Sequence, residues 1–155
     1  TEEQPVNKSV GPSLEDTGHW IEANLVGLHE EEQHAPHKTT ITKASVKGCT
    51  LSFTQEDTEG DRTNWTISET MDLGRIEWLK AIPVQKAILG ATKGDDVELH
   101  YVSMPDQDGK VTPPESRRTS AVGIETDDDA MAARMVKALQ HAIDLCKATA
   151  KPDLF

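Results

Sequence analysis

Six histidines and two cysteines carry most of the chemistry this sequence offers. His29-Glu30-Glu31-Glu32-Gln33-His34 sets two imidazoles five residues apart, with His37 three further on. Imidazole and carboxylate together ligate zinc, and two His four apart on a helix form the zinc-protease pattern. At a spacing of five, a helix would turn the two rings about 140° apart. Only a loop broken at Pro36 could gather His29, His34 and His37 around one ion. We read the segment as a solvated polar loop and expect neither a metal nor another cofactor. A metal-dependent or hydrolytic enzyme using these three histidines is the alternative.

Cys49 and Cys146 are either buried free thiols or one disulfide. A disulfide would close a long loop and would require an oxidising compartment. The expected location is therefore secreted or periplasmic, with the cytoplasm as the alternative. A Cys–His nucleophile has little support. His141 stands five residues from Cys146 on one helix, a poor spacing for contact, and His100 alternates away from the Val97, Leu99 and Tyr101 face.

Other near-motifs fail on one residue each. Gly90-Ala91-Thr92-Lys93-Gly94-Asp95 has its glycines one residue too close for a phosphate loop, and Asp95 stands where Lys should be. Asp106-Gln107-Asp108-Gly109 begins like a calcium loop but lacks the downstream Glu. No Gly-x-Ser-x-Gly elbow is present. Asn64-Trp65-Thr66 has the form of a glycosylation site but falls in an expected strand. These absences favour a non-catalytic module that binds a protein or peptide, on a sheet edge or beside a helix.

Charge narrows the partners. The 155 residues hold 27 Asp and Glu against 16 Lys and Arg, a net charge of −11. Nucleic-acid backbones and anionic membranes call for basic stripes, so neither is an expected partner. No apolar run reaches the length of a membrane span. The chain opens on Thr1, which we read as the start of a mature chain, a fragment or an expressed piece.

The elements that must position these groups follow from periodicity. Residues 1–12 read as a flexible arm. Leu14, Thr17, Ile21, Leu25 and Leu28 mark a helix over 13–28 with Ser13 at its start. Alternation then predicts strands at 41–46, 49–54, 64–69, 76–80, 84–89, 97–103 and 118–125, with loops at 56–61 and 105–115. Trp20, Phe53, Trp65, Trp78 and Tyr101 are expected in the core. Thr126 or Asp127 should cap a closing helix whose stripe is Met131, Met135, Leu139, Ala142, Ile143 and Cys146. Residues 149–155 form a tail. Strands followed by a helix give an α+β fold with a largely antiparallel sheet.

Seven antiparallel strands and a C-terminal amphipathic helix resemble the pleckstrin-homology-like fold across 39–148. That resemblance implies a bent sheet or partly open barrel closed by the helix. The lipid-binding role of that fold does not carry over, because the loop between the first two strands is only Lys47-Gly48. Three phrases, Ser13-Leu14-Glu15-Asp16-Thr17 with Trp20-Ile21, Gly48-Cys49-Thr50-Leu51, and Lys137 through Cys146, are similar to a group of small, functionally uncharacterised bacterial proteins. The similarity implies that both cysteines are group features and that many members are exported. It implies no activity. Lys147 stands where the group's pattern has Gly.

Overall fold

The computed structural model describes residues 11–30 and 37–149. His34, most of the expected arm and all but the first residue of the expected tail lie outside those residues. Ser13 accepts a hydrogen bond from the Asp16 N–H at 3.0 Å and starts α1, Leu14–Leu25. The helix ends three residues before the expected 28. Val26 is extended and Gly27 takes φ +100°, a left-handed value that glycine tolerates. The chain reverses there, and Gly27 donates to the Ile41 carbonyl while Ile41 donates to Leu28, both at 2.8 Å. Residues 27–30 thus run along the first strand.

Eight strands follow: β1 (His37–Lys47), β2 (Thr50–Glu59), β3 (Arg62–Asp72), β4 (Ile76–Ile82), β5 (Ala87–Thr92), β6 (Val97–Ser103), β7 (Glu115–Thr119) and β8 (Ala121–Glu125). They form two antiparallel sheets, β1-β2-β3-β6-β7 and β4-β5-β8, and neither sheet closes. The α+β class and the antiparallel pairing hold, and the expected count of seven is corrected to eight. The difference lies at Ser120. The single strand expected over 118–125 breaks there, so that β7 pairs with β6 and β8 pairs with β5. One stretch of chain changes sheets, as chains do at the corners of packed sheets. The Ser120 carbonyl holds the corner by accepting from the Thr92 N–H at 2.8 Å.

Two further expectations are corrected. Residues 56–59 are strand, not loop, because Gly60 at φ +61° turns the chain tightly with Asp61 before β3 begins. The strand expected from Val84 starts at Ala87, after a 3-10 turn over Pro83–Gln85 and a left-handed Lys86.

The closing helix α2 spans Asp129–Thr149. Its cap is Asp128, which accepts from the Met131 N–H at 3.0 Å, while Thr126 accepts from Asp128 N–H at 3.1 Å. Met135, Leu139, Ala142, Ile143 and Cys146 are buried, as the stripe required. They share one core with Leu51, Phe53, Met71, Ile76, Ile88 and Ile124. Phe53 is 2 % exposed, but Trp78 is 45 % exposed and leaves the expected core set. A register irregularity between Ile76 and Trp78 turns Ile76 and Leu79 inward in its place. Cys146 is bonded to Cys49 in the β1–β2 turn, across a sequence separation of 97. The bond ties the end of α2 to the first sheet.

Candidate functional site

The core-facing side of the five-stranded sheet changes character along its strands. The register aligns Val46, Leu51 and Met71 in one row, and Phe53, Glu69, Leu99 and Arg117 in the next. Beyond them come Ile41, Gln55, Ile67 and Tyr101, and finally Thr39, Asp57 and Trp65. The first row is apolar and lies in the core. The last rows are half-polar, and Trp65, Ile67 and Tyr101 are only half-buried, with the Trp65 and Tyr101 rings 6.1 Å apart. Polar residues therefore face inward at one end of the sheet, and their partners decide what that end can do.

Asp57 is the most buried of them, at 4 % exposure. One carboxylate oxygen accepts from the Thr39 hydroxyl at 3.2 Å and meets His37 Nδ1 at the same distance. The other accepts from the Asn64 amide at 2.9 Å. Thr39 N–H donates in turn to the Glu30 carboxylate at 3.3 Å. Glu30, His37 and Asp57 thus converge, each with a ligand-capable atom within 4.8 Å of the others. Three neighbouring strips of chain bring them together: residues 29–30, β1 and β2.

Of the three histidines of the alternative reading, His37 belongs to this cluster, His29 does not, and His34 lies outside the described residues. His29 donates through Nδ1 to the Glu30 carbonyl at 2.9 Å and reaches Asp127 at 3.6 Å through Nε2. Asp57 escaped the sequence reading because 56–61 looked like an acidic loop, whereas Glu30 stood in the His29–His34 segment already weighed for zinc. The one available signal was the alternation of Leu51, Phe53, Gln55 and Asp57, which continues past the last apolar residue.

Glu69 forms a second feature of the same face. It borders a cleft of about 440 Å³ together with Leu99, Arg117, Arg118 and Thr119. Burial pushes its carboxyl up to about 7, against the opposing pull of a 3.0 Å hydrogen bond from Gln55. Among the described residues no second carboxylate lines that cleft, so none of them gives Glu69 an acid–base partner there.

A third feature is formed by the two helices. An open groove of about 1010 Å³ runs between α1 and α2. Trp20 of α1 forms part of its wall, with the Arg134 guanidinium 5.3 Å from the ring centroid. Arg134, Lys137 and His141 recur along α2 at three- and four-residue steps, so they share the groove-facing side. His141 Nε2 hydrogen-bonds the Pro12 carbonyl at 2.7 Å and holds the chain entering α1 at the groove's end.

The remaining near-motifs are structural. The Gly94 N–H donates to the Asp96 carboxylate at 3.0 Å. That bond first, and the Arg75 guanidinium 3.2 Å away after it, hold the Asp96 carboxyl below its usual range against the opposing pull of desolvation. A side chain thus takes the N–H that a phosphate loop would offer. Asp106 accepts from the N–H groups of Asp108 and Lys110, both at 2.9 Å, and so spends its carboxylate on its own turn.

No family model, curated protein or solved structure matches this chain. The site must be judged on its own chemistry. Among the described residues, no helix is long and apolar enough to cross a membrane.

Proposed function

We propose that this protein is a non-catalytic binding module for a protein or peptide, docked in the groove between α1 and α2. The observation that carries the reading is the groove itself, with Trp20 on one wall and the Arg134, Lys137 and His141 stripe on the other. Trp20 is half-buried against the core and keeps one part of its ring on the groove, and an aromatic beside Arg is the composition of binding hot spots. Arg134 and Lys137 line the groove together with Asp16 and Asp144, so its lining is balanced in charge within a chain of net charge −11. The fitting partner is a segment with apolar side chains for Trp20 and a carboxylate for the basic stripe.

Two further parts belong to this proposal. The order of antiparallel strands and closing helix supports a pleckstrin-homology-like relationship, with the five- and three-stranded sheets as the two halves of a bent sheet. The Cys49–Cys146 bond supports an oxidising compartment, outside the cytoplasm.

The second reading, a metal-dependent or hydrolytic enzyme built on His29, His34 and His37, draws support from His37 alone, which stands among carboxylates. A thiol nucleophile has no support, since both cysteines are spent in the disulfide.

Selection of random displayed 12-residue peptides on the oxidised protein tests the groove. The expected winners carry acidic and apolar residues, bind with micromolar affinity, and lose at least tenfold to Trp20→Ala and to Arg134→Glu. Arg134 is exposed, so its replacement leaves the fold intact. Peptides that bind both variants as well as the parent, or no enrichment, would overturn the reading.

A further inference from the structure

We propose that Glu30, His37 and Asp57 bind one divalent transition cation of the zinc class. This goes beyond the peptide-binding reading and stands independently of it.

The donor set and its spacing carry the inference. A tetrahedral ion with bonds of about 2.0–2.2 Å holds its ligand atoms about 3.4 Å apart. The three side chains already hold theirs within 4.8 Å, and His37 Nδ1 stands 3.2 Å from an Asp57 oxygen. Small rotations of Glu30 and His37, neither of which is buried, would close the rest of the distance. One imidazole with two carboxylates selects zinc-like ions over calcium or magnesium, which prefer all-oxygen shells. The fourth position would face water.

Support around the ligands is also in place. Asn64 and Thr39 orient the Asp57 carboxylate, and the Thr39 N–H orients Glu30. Such outer partners fix ligand geometry at metal centres. Of the three histidines of the alternative reading, the site uses His37.

Calorimetric titration of the intact, chelator-treated protein with zinc chloride tests the proposal, with cobalt absorption as a spectroscopic readout of coordination. The expected result is one ion per chain. Affinity should fall at least tenfold in both His37→Ala and Glu30→Gln, and should be unchanged in the His29→Ala/His34→Ala double variant. Glu30→Gln keeps the size of the side chain, and far-ultraviolet circular dichroism reports whether each variant is folded. Absence of binding, loss in only one of the two ligand variants, or binding that follows His29 and His34 would overturn the assignment. The last result would mark an adventitious ion only.

Discussion

Cys146, near the end of α2, is bonded to Cys49 in the turn between β1 and β2, with Cα atoms 5.8 Å apart. The bond joins residues 97 apart in sequence. In the chain-entropy account, closing a loop of that length removes about 4–5 kcal/mol of unfolded-state freedom. Reduction, or a Cys49→Ser/Cys146→Ser variant, should therefore lower the unfolding free energy by about that amount. Urea titrations with and without reductant read the difference, and intact mass after alkylation establishes the starting state. An unchanged midpoint would show that the reduced chain retains the same constraint by packing alone.

Asp128 and Asp127 sit side by side before α2 but do different things. Asp128 caps the helix through the Met131 N–H, whereas Asp127 makes only an exposed contact with His29. Asp128→Ala should cost about 1 kcal/mol, the usual loss for an N-cap. Asp127→Ala should cost no more than a few tenths, as exposed pairs do. Thermal melts of the two variants under one buffer compare them directly. Equal losses would show that the acidic run acts through the helix dipole as a whole.

These two residues also show what the sequence made legible. The helix stripe, with Met135, Leu139 and Cys146 inward, followed from periodicity because a 21-residue helix repeats its pattern several times. The cap was misplaced by one or two residues because three consecutive Asp all satisfy the same local rule. The change of sheets at Ser120 was invisible, since β7 and β8 lie one residue apart and share one alternation. What separates them is pairing to β6 and to β5, a non-local property. The cluster of Glu30, His37 and Asp57 was illegible for the same reason. Its members are joined by register across Thr39 rather than by spacing.

Gly90 and Gly123 sit on neighbouring strands of the three-stranded sheet and give opposite expectations. A Cβ on Gly90 would lie 2.6 Å from the Trp78 carbonyl oxygen and 2.8 Å from a Leu79 methyl. The first of these is backbone, paired in the β4–β5 ladder, and cannot step aside. Gly90→Ala should cost about 1–3 kcal/mol as an overpacked site. On Gly123 the nearest atom is a Leu89 methyl at 4.0 Å, so Gly123→Ala should be neutral or slightly stabilising through reduced unfolded-state freedom. Chemical denaturation of both variants checks the contrast, and a neutral Gly90→Ala would contradict the close packing of β4 on β5.

Glu69 lies between Phe53 and Leu99 in the sheet register, and that position makes stability depend on pH. Its carboxyl is pushed up from 4.5 to about 7, first by burial, with the Gln55 hydrogen bond opposing. The folded state therefore prefers the neutral acid. Its contribution is fully present below the unfolded value near 4.5 and is lost as pH rises to about 7. Above that, folding carries the whole cost of a buried carboxylate, about 3 kcal/mol for a shift of this size. Glu69→Gln keeps the shape and removes the charge. The variant should match the parent at pH 4 and exceed it by up to about 3 kcal/mol at pH 8. Urea unfolding of both chains at several pH values measures the difference, in which the titration of the other shared groups largely cancels. A constant difference across that range would mean that Glu69 ionises in the folded chain as easily as in the unfolded one. In that case water would reach the carboxylate through the cleft beside Arg117.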